Sequence, residues 1–287
     1  MPVCLACYLR AKSFLLKITG DYAWEHAQEC HKVSDGIDDF QKKKYNYKIE
    51  LMRYVRNRVV RHAEKIITPS EYLKSMIAGW EINADKIQVI YNAVPKARVS
   101  GDRDKLRAEL GLKGTVLLSV GRLLPWKGFK ELIDLMPALK KEITDVSLVL
   151  IGAGPEGKNI EKQLKNCECK DKVKFIPGAP QSKLWQYMEA SDLFVLYTGY
   201  EGLPHIVIEA MMIGLPVITT RVGGNIEVVK NKDNGVLVDY GNEDELKNAI
   251  IRISKDKEFS RELVENAKLG LSKFSQEKMI SDVIKLF

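Results

Sequence analysis

From residue 115 onward the chain alternates two patterns of hydrophobic and polar positions. Short runs that are almost wholly apolar or β-branched are TVLLSVG (115–121), VSLVLIG (146–152), KVKFI (172–176), LFVLYT (193–198), PVITT (216–220) and GVLVD (235–239). Between them lie amphipathic stretches such as FKELIDLMPALKKEI (129–143) and SKLWQYMEASD (182–192). The short runs have strand length and no polar face, whereas the longer stretches suit helices with one buried side. Strands that are apolar on both faces belong to a parallel sheet covered by helices on both sides. The predicted class is therefore α/β with a Rossmann-like parallel sheet, a fold that binds ligands beyond the carboxyl ends of its strands.

Ahead of that region the clearest pattern is QKKKYNYKIELMRYVRNRVVRHAEK (41–65). Ile49, Met52, Val55, Val59 and Ala63 recur at helical spacing, and Lys44, Lys48, Arg53, Arg56, Arg58 and Arg61 fill the other faces. The net charge of +7 lies wholly in residues 1–114, which hold 21 Lys/Arg against 14 Asp/Glu. Such a helix is either a solvated face or a surface for anionic lipid or a charged substrate. Tyr45, Tyr47 and Tyr54 could stack on nucleic acid, but no nucleic-acid module surrounds them and none is expected as a partner.

At 287 residues, with 45% hydrophobic and 29% charged content, the composition is that of a globular protein with room for two modest domains. Arg10 and Lys12 interrupt the apolar patches at the N-terminus, so neither a signal-peptide core nor a spanning run forms there. Five scattered cysteines make no disulfide framework and fit a reducing cytosol. Cys4 and Cys7 form a CxxC that His26 and Cys30 could extend toward zinc, but a cysteine-bearing helix running into a strand accounts for the pair equally, and no metal is expected.

Each candidate chemical group falls at a predicted strand end. GRLLPWKG, with Arg122 and Lys127, follows the first strand, GAGP the second, and YEGLPHIVIE, with Glu201 and Glu209, the fourth. A lone GxGP is usually a plain turn and lone basic residues are usually surface charges; the convergence is what marks them. Pro204 suits a helix start, which leaves the backbone N–H groups of His205 and Ile206 facing outward and favours an anion such as a phosphate. Carboxylates beside a phosphate are repulsive unless they accept hydrogen bonds from hydroxyls. Glu201 and Glu209 therefore suggest a diphosphate with a sugar at each end, which is the layout of a nucleotide sugar. Their alternative is a capping and solvent-facing role.

Taken as a set, Glu-x7-Glu in EGLPHIVIE, GRLLPWKG, IGAGP, ASDLFVLYT and EAMMIGLPVITTRVGG resemble the donor-binding half of family 4 retaining glycosyltransferases of the GT-B fold. The resemblance covers about residues 115–240. EKIITPSEYLKSMIAGW and DKIQVIYNAV are similar to the end of that family's N-terminal domain and its hinge, and FSQEKMISDVIKLF to its final crossover helix. The resemblance implies a partial Rossmann-like N-terminal, acceptor-side domain (1–95), a C-terminal nucleotide-sugar-binding domain (96–273) and a crossover helix (274–287).

Roles follow from the resemblance residue by residue. Arg122 and Lys127 would hold the donor diphosphate without a metal. Glu201, with Gly202 and Leu203 beside it, would meet the transferred sugar, Glu209 the ribose, the N–H groups of His205 and Ile206 the diphosphate, and the loop at Ala179 the base. The implied activity is metal-independent, cofactor-free hexosyl transfer with retained configuration to a glycan or lipid-linked acceptor, as in polysaccharide biosynthesis, by a cytoplasmic protein held peripherally on the inner face of an anionic membrane. A GT-B sugar-nucleotide epimerase and a non-catalytic nucleotide-sugar-binding fragment remain the alternatives. Two departures stand out. The family's N-terminal domain is commonly as large as its partner, whereas some 95 residues precede the hinge here, so a truncation, an incomplete gene model or a fragment is expected. Where relatives carry a histidine after an interior strand, LLKITGDYAWE has Thr19, Gly20 and Asp21; Asp21 is a candidate for contacting sugar or acceptor, or equally a helix cap.

Overall fold

The computed structural model describes residues 13–96 and 101–286. Cys4 and Cys7, with Arg10 and Lys12, lie outside the described residues. The chain divides into two compact units: the first runs to Asn92 and takes in the chain again from Glu277, and the second is Ala93–Gln276.

In the first unit the elements are β1 (Leu15–Lys17), α1 (Tyr22–Glu29), α2 (Ile37–Lys42), α3 (Tyr47–His62), β2 (Lys65–Thr68), α4 (Glu71–Ala78) and β3 (Ile87–Val89). The three strands are parallel in the order β1-β2-β3, with Leu16 opposite Ile66 and Ile66 opposite Ile87. Side-chain caps start α1, α3 and α4: Asp21 accepts from Ala23 N, Asn46 from Lys48 N and Ile49 N, and Ser70 from Leu73 N, whereas α2 begins after Gly36 with no side-chain cap. Each satisfies a backbone donor that the helix itself leaves unpaired. Trp24, Phe40, Ile49, Ile66, Leu73, Ile77 and Ile87 are fully enclosed in this unit.

Helix α3 forms where the pattern places it, but its faces differ from the expectation. Ile49 and Val60 are its buried positions, not Val59. Arg53 and Arg56, expected on outer faces, turn inward. The Arg53 guanidinium lies 4.0 Å from the Phe40 ring and donates to Lys43 O at 2.8 Å; that of Arg56 lies 3.6 Å from the Trp80 ring. A desolvated guanidinium over an aromatic face packs as well as an aliphatic side chain, which shifts the buried stripe. Tyr45 also turns in, stacked 4.8 Å from Phe40 with its hydroxyl donating to Asp35 at 2.7 Å. What α3 presents outward is Tyr47, Leu51 and Tyr54, which are 75%, 58% and 61% exposed.

The second unit contains α5 (Arg103–Leu110), β4 (Thr115–Val120), α6 (Phe129–Glu142), β5 (Val146–Ile151), α7 (Gly157–Asn166), β6 (Val173–Ile176), α8 (Gln181–Ala190), β7 (Leu193–Leu196), α9 (His205–Ile213), β8 (Val217–Thr220), α10 (Asn225–Val228), β9 (Val236–Val238), α11 (Glu243–Lys255) and α12 (Lys257–Leu269). Helix α13 (Gln276–Ile284) follows. The sheet is parallel in the order β6-β5-β4-β7-β8-β9. Apart from the edge strand β6, its strands are buried on both faces, as their apolar runs require. The order reverses between β4 and β7, so the loops after these two strands part at a topological switch point, where doubly wound sheets open a ligand crevice. Among the described residues no helix is long and apolar enough to cross a membrane.

Candidate functional site

The loops leaving β4, β5, β7 and β8 are stitched to one another through glycines. Gly128 begins α6 at φ +62°, and a Cβ there would sit 1.9 Å from the carbonyl oxygen of Tyr197. The loops on either side of the switch point touch at that residue, and their backbones are joined where Gly199 N donates to Trp126 O at 2.7 Å. In the GAGP turn, a Cβ on Gly152 would come within 2.0 Å of Gly121 O, and Leu123 N donates to Ala153 O at 3.0 Å. These glycines therefore serve close backbone packing of the Arg122 loop. Gly223 and Gly224 do the same below Glu201: Gly224 N donates to Glu201 O at 2.8 Å, and a Cβ on Gly223 would lie 2.1 Å from that oxygen.

This scaffold brings Lys127, from the β4 loop, and Glu201, from the β7 loop, into an ion pair in which the side chains are only 12% and 15% exposed. Arg122 lies five residues before Lys127 on the same loop and is exposed. Gly202 and Leu203 are buried beside Glu201. Helix α9 begins at His205, with Pro204 as its N-cap. The His205 N–H donates back to Leu203 O at 3.0 Å, so of the two N–H groups expected to face a ligand, that of Ile206 is the one without a backbone acceptor among the described residues. Ala179 sits half-buried at the carboxyl end of β6, just before α8.

Glu209, on the second turn of α9, is 7% exposed. Its Oε2 accepts from Trp185 Nε1 at 3.0 Å and from Gln181 Nε2. Burial pushes its carboxyl above the ordinary glutamate value, and those two N–H donors oppose the rise. Sequence reasoning missed both donors. Their one signal is the spacing of Gln181 and Trp185, one helical turn apart on the stretch that faces α9.

Asp21 belongs to the first unit and is fully enclosed. Its Oδ1 caps α1 and its Oδ2 accepts from Gln41 at 2.9 Å and pairs with Arg56. Of the two roles expected for Asp21, the capping one is displayed, by a carboxylate with no exposed surface. His26 lies within 4.0 Å of the Cys30 thiol and stacks on Tyr22. Among the described residues no group of three or more His, Cys, Asp or Glu converges as a metal site.

A parallel Rossmann-like sheet with a topological switch point and a second small parallel unit define a GT-B type α/β protein. The chain belongs to the glycosyl transferases group 1 family, whose model matches residues 102–270. An uncharacterized glycosyltransferase of Haemophilus influenzae is 29% identical over 220 residues, which are 76% of this chain and 60% of the relative. The N-acetyl-alpha-D-glucosaminyl L-malate synthase of Bacillus anthracis is 32% identical over 200 residues, 68% of this chain and 51% of that one. The fold matches the Anabaena protein Alr3699/HepE, solved in complex with UDP and glucose, with a TM-score of 0.82 at 24% identity, covering 99% of this chain and 73% of that one. The chain spans about half to three fifths of the length of these curated relatives.

Proposed function

We propose that the protein is a retaining glycosyltransferase that transfers a sugar from a nucleoside-diphosphate sugar to a glycan or lipid-linked acceptor. The observation that carries this reading is the enclosed Lys127–Glu201 pair at the switch point of the sheet, with Glu209 on the helix that follows, in a chain of the glycosyl transferases group 1 family. A nucleotide sugar fits that geometry. Lys127 and Arg122 hold the diphosphate together with the N–H group of Ile206, where the α9 dipole adds positive potential. Glu201, with Gly202 and Leu203, meets the hydroxyls of the sugar. Glu209 accepts from the ribose, and the loop at Ala179 lies at the base. As the bond from the anomeric carbon to the diphosphate breaks, the fixed cations offset the charge that develops on the leaving group. The acceptor hydroxyl then attacks the oxocarbenium-like centre from the same face, which retains the configuration, and passes its proton to an oxygen of the departing diphosphate.

These cations supply what a bound metal supplies in other transferases, so the reaction is proposed to need none. The test is direct. Donor binding is found by thermal shift with UDP-, GDP- and ADP-sugars, where a ligand at 100 times its Kd adds about 2.7 kcal/mol. Product NMR with labelled donor and EDTA present is then expected to show a retained anomer bonded to the acceptor. Loss of all transfer with EDTA, restored by Mn²⁺, overturns metal independence; a rearranged free sugar nucleotide marks an epimerase.

We also propose that the protein works in the cytoplasm, bound peripherally to the inner face of an anionic membrane through α3. Support comes from its exposed Tyr47, Leu51 and Tyr54, with Lys44, Lys48 and Arg58 beside them. Aromatic groups suit the headgroup boundary, and each basic residue held near it contributes about 1 kcal/mol. Lys43 is engaged with Asp35 and is left out of the contact. Co-sedimentation with phosphatidylglycerol vesicles at low salt is expected to fall for a Lys44→Glu/Lys48→Glu/Arg58→Glu variant. Equal binding by that variant and the parent protein removes α3 from the interface.

A further inference from the structure

Helix α8 runs from the loop at Ala179 and packs against α9, so that Gln181 and Trp185, one turn apart, reach the same oxygen of Glu209. Two donors on Oε2 fix the carboxylate in one orientation. They leave Oε1 with no hydrogen-bond partner among the described residues, although Glu209 is 7% exposed. An indole N–H can only donate, so its partner must present a lone pair; the ionised carboxyl does so on Oε2 and keeps Oε1 free to accept from a ligand diol, whereas protonation on Oε1 turns that oxygen into a donor. The surroundings are apolar and favour the protonated acid, which offers one donor and loses part of its acceptor capacity. The N–H groups of Gln181 and Trp185 are what hold the balance toward the anion.

We propose that Gln181 and Trp185 are positioning residues for nucleotide binding, which hold Glu209 as an oriented carboxylate whose Oε1 accepts from a vicinal diol such as the 2′- and 3′-hydroxyls of a ribose. The inference rests on the donor reading above and extends it to two residues that touch no ligand in that reading.

No charged neighbour supplies the same effect. The ionisable side chains of α8 (Lys183, Tyr187 and Glu189) and those of α12 contribute no charge interaction at Glu209. Strands β7 and β8 carry no ionisable residue, and on α9 itself His205 precedes Glu209 by one turn without entering the balance. Burial and the two hydrogen bonds thus set the protonation balance at this carboxyl, which contributes an acid limit to nucleotide binding beside that of the phosphate itself. Burial raises the Glu209 pKa; binding that needs the anion is complete above that value and is lost as pH falls through it. Removing a donor raises the value further and moves the loss to higher pH.

The experiment is calorimetric binding, between pH 5 and 8, of whichever of UDP, GDP or ADP the protein takes and of its 2′,3′-dideoxy counterpart. It compares the parent chain with Trp185→Phe and Gln181→Leu, using thermal midpoints as the fold control. Each variant is expected to bind the ribonucleotide about three- to tenfold more weakly at pH 7, with its acid limb displaced upward by about half to one pH unit. The dideoxy compound is expected to bind weakly to all three proteins, with no difference between them. Weakening that is equal at every pH and equal for both nucleotides shows a merely structural role and overturns the proposal, as does an unmoved acid limb in both variants. If the parent chain binds no nucleoside diphosphate, the donor reading falls and this inference falls with it; binding with an unmoved limb sinks the inference alone.

Discussion

Replacing Lys127 with methionine is expected to lower kcat for sugar transfer by about two to three orders of magnitude, equivalent to about 3–4 kcal/mol of lost transition-state stabilisation. Lys127 and Glu201 are both mostly enclosed and neutralise one another at rest. On the proposed reading, a bound diphosphate would compete for the ammonium group while the sugar hydroxyls replace it as donors to Glu201. The pair thus gives way to two ligand contacts of matching charge. Charge on the diphosphate rises as the glycosyl bond breaks, so the ammonium is worth more in the transition state than in the ground state, and the loss falls on kcat more than on KM. Methionine keeps the volume of the lysine stem and so limits the packing change. Steady-state kinetics with thermal midpoints as control make the measurement. A variant that keeps kcat and loses only donor affinity shows that Lys127 binds the substrate without assisting bond cleavage.

The sheet of the second unit was legible because its inner strands are buried on both faces, and burial on both faces leaves a mark in the alphabet of residues: LFVL at 193–196 and VITT at 217–220 admit no charge. The switch point follows from strand order, which no local pattern encodes. Glu201 and Glu209 could be singled out by their spacing across a Pro-marked helix start. Their partners could not. Lys127 reaches Glu201 only because Gly128, Gly199 and the paired loops bring two distant strand ends together, and Gln181 and Trp185 reach Glu209 through helix packing. In α3 the pattern misled for a different reason. Arg53 and Arg56 read as polar positions, yet their guanidinium planes lie on Phe40 and Trp80 and fill the inner face that a hydrophobic count assigns to Val59. Periodicity counts side-chain polarity, whereas packing uses the long stem and flat head of arginine as apolar surface.

Because the inward Arg56 pairs with Asp21, Asp21→Ala is expected to destabilise the first unit by about 3–5 kcal/mol. Three groups depend on the carboxylate: the first turn of α1 through Ala23 N, the Gln41 amide, and the Arg56 guanidinium. Gln41 in turn accepts from Trp80 Nε1 at 2.9 Å, so the indole that carries Arg56 is tied to the same network. Alanine removes the cap, worth about 1 kcal/mol, and leaves Arg56 as an enclosed cation with burial working against its charge. The second effect is the larger. A buried pair is costly to break by halves and cheap to replace whole, because the unpaired charge and not the lost attraction dominates. Asp21→Ala combined with Arg56→Met is therefore expected to recover most of the loss beyond the cap, with methionine lying over Trp80 in place of the guanidinium. Urea unfolding followed by tryptophan fluorescence measures all three proteins, since Trp24 and Trp80 both belong to this unit. A loss below about 1 kcal/mol for Asp21→Ala is the size expected of a solvated surface pair. Asp21 would then be open to a ligand, and its reading as a sugar or acceptor contact would return.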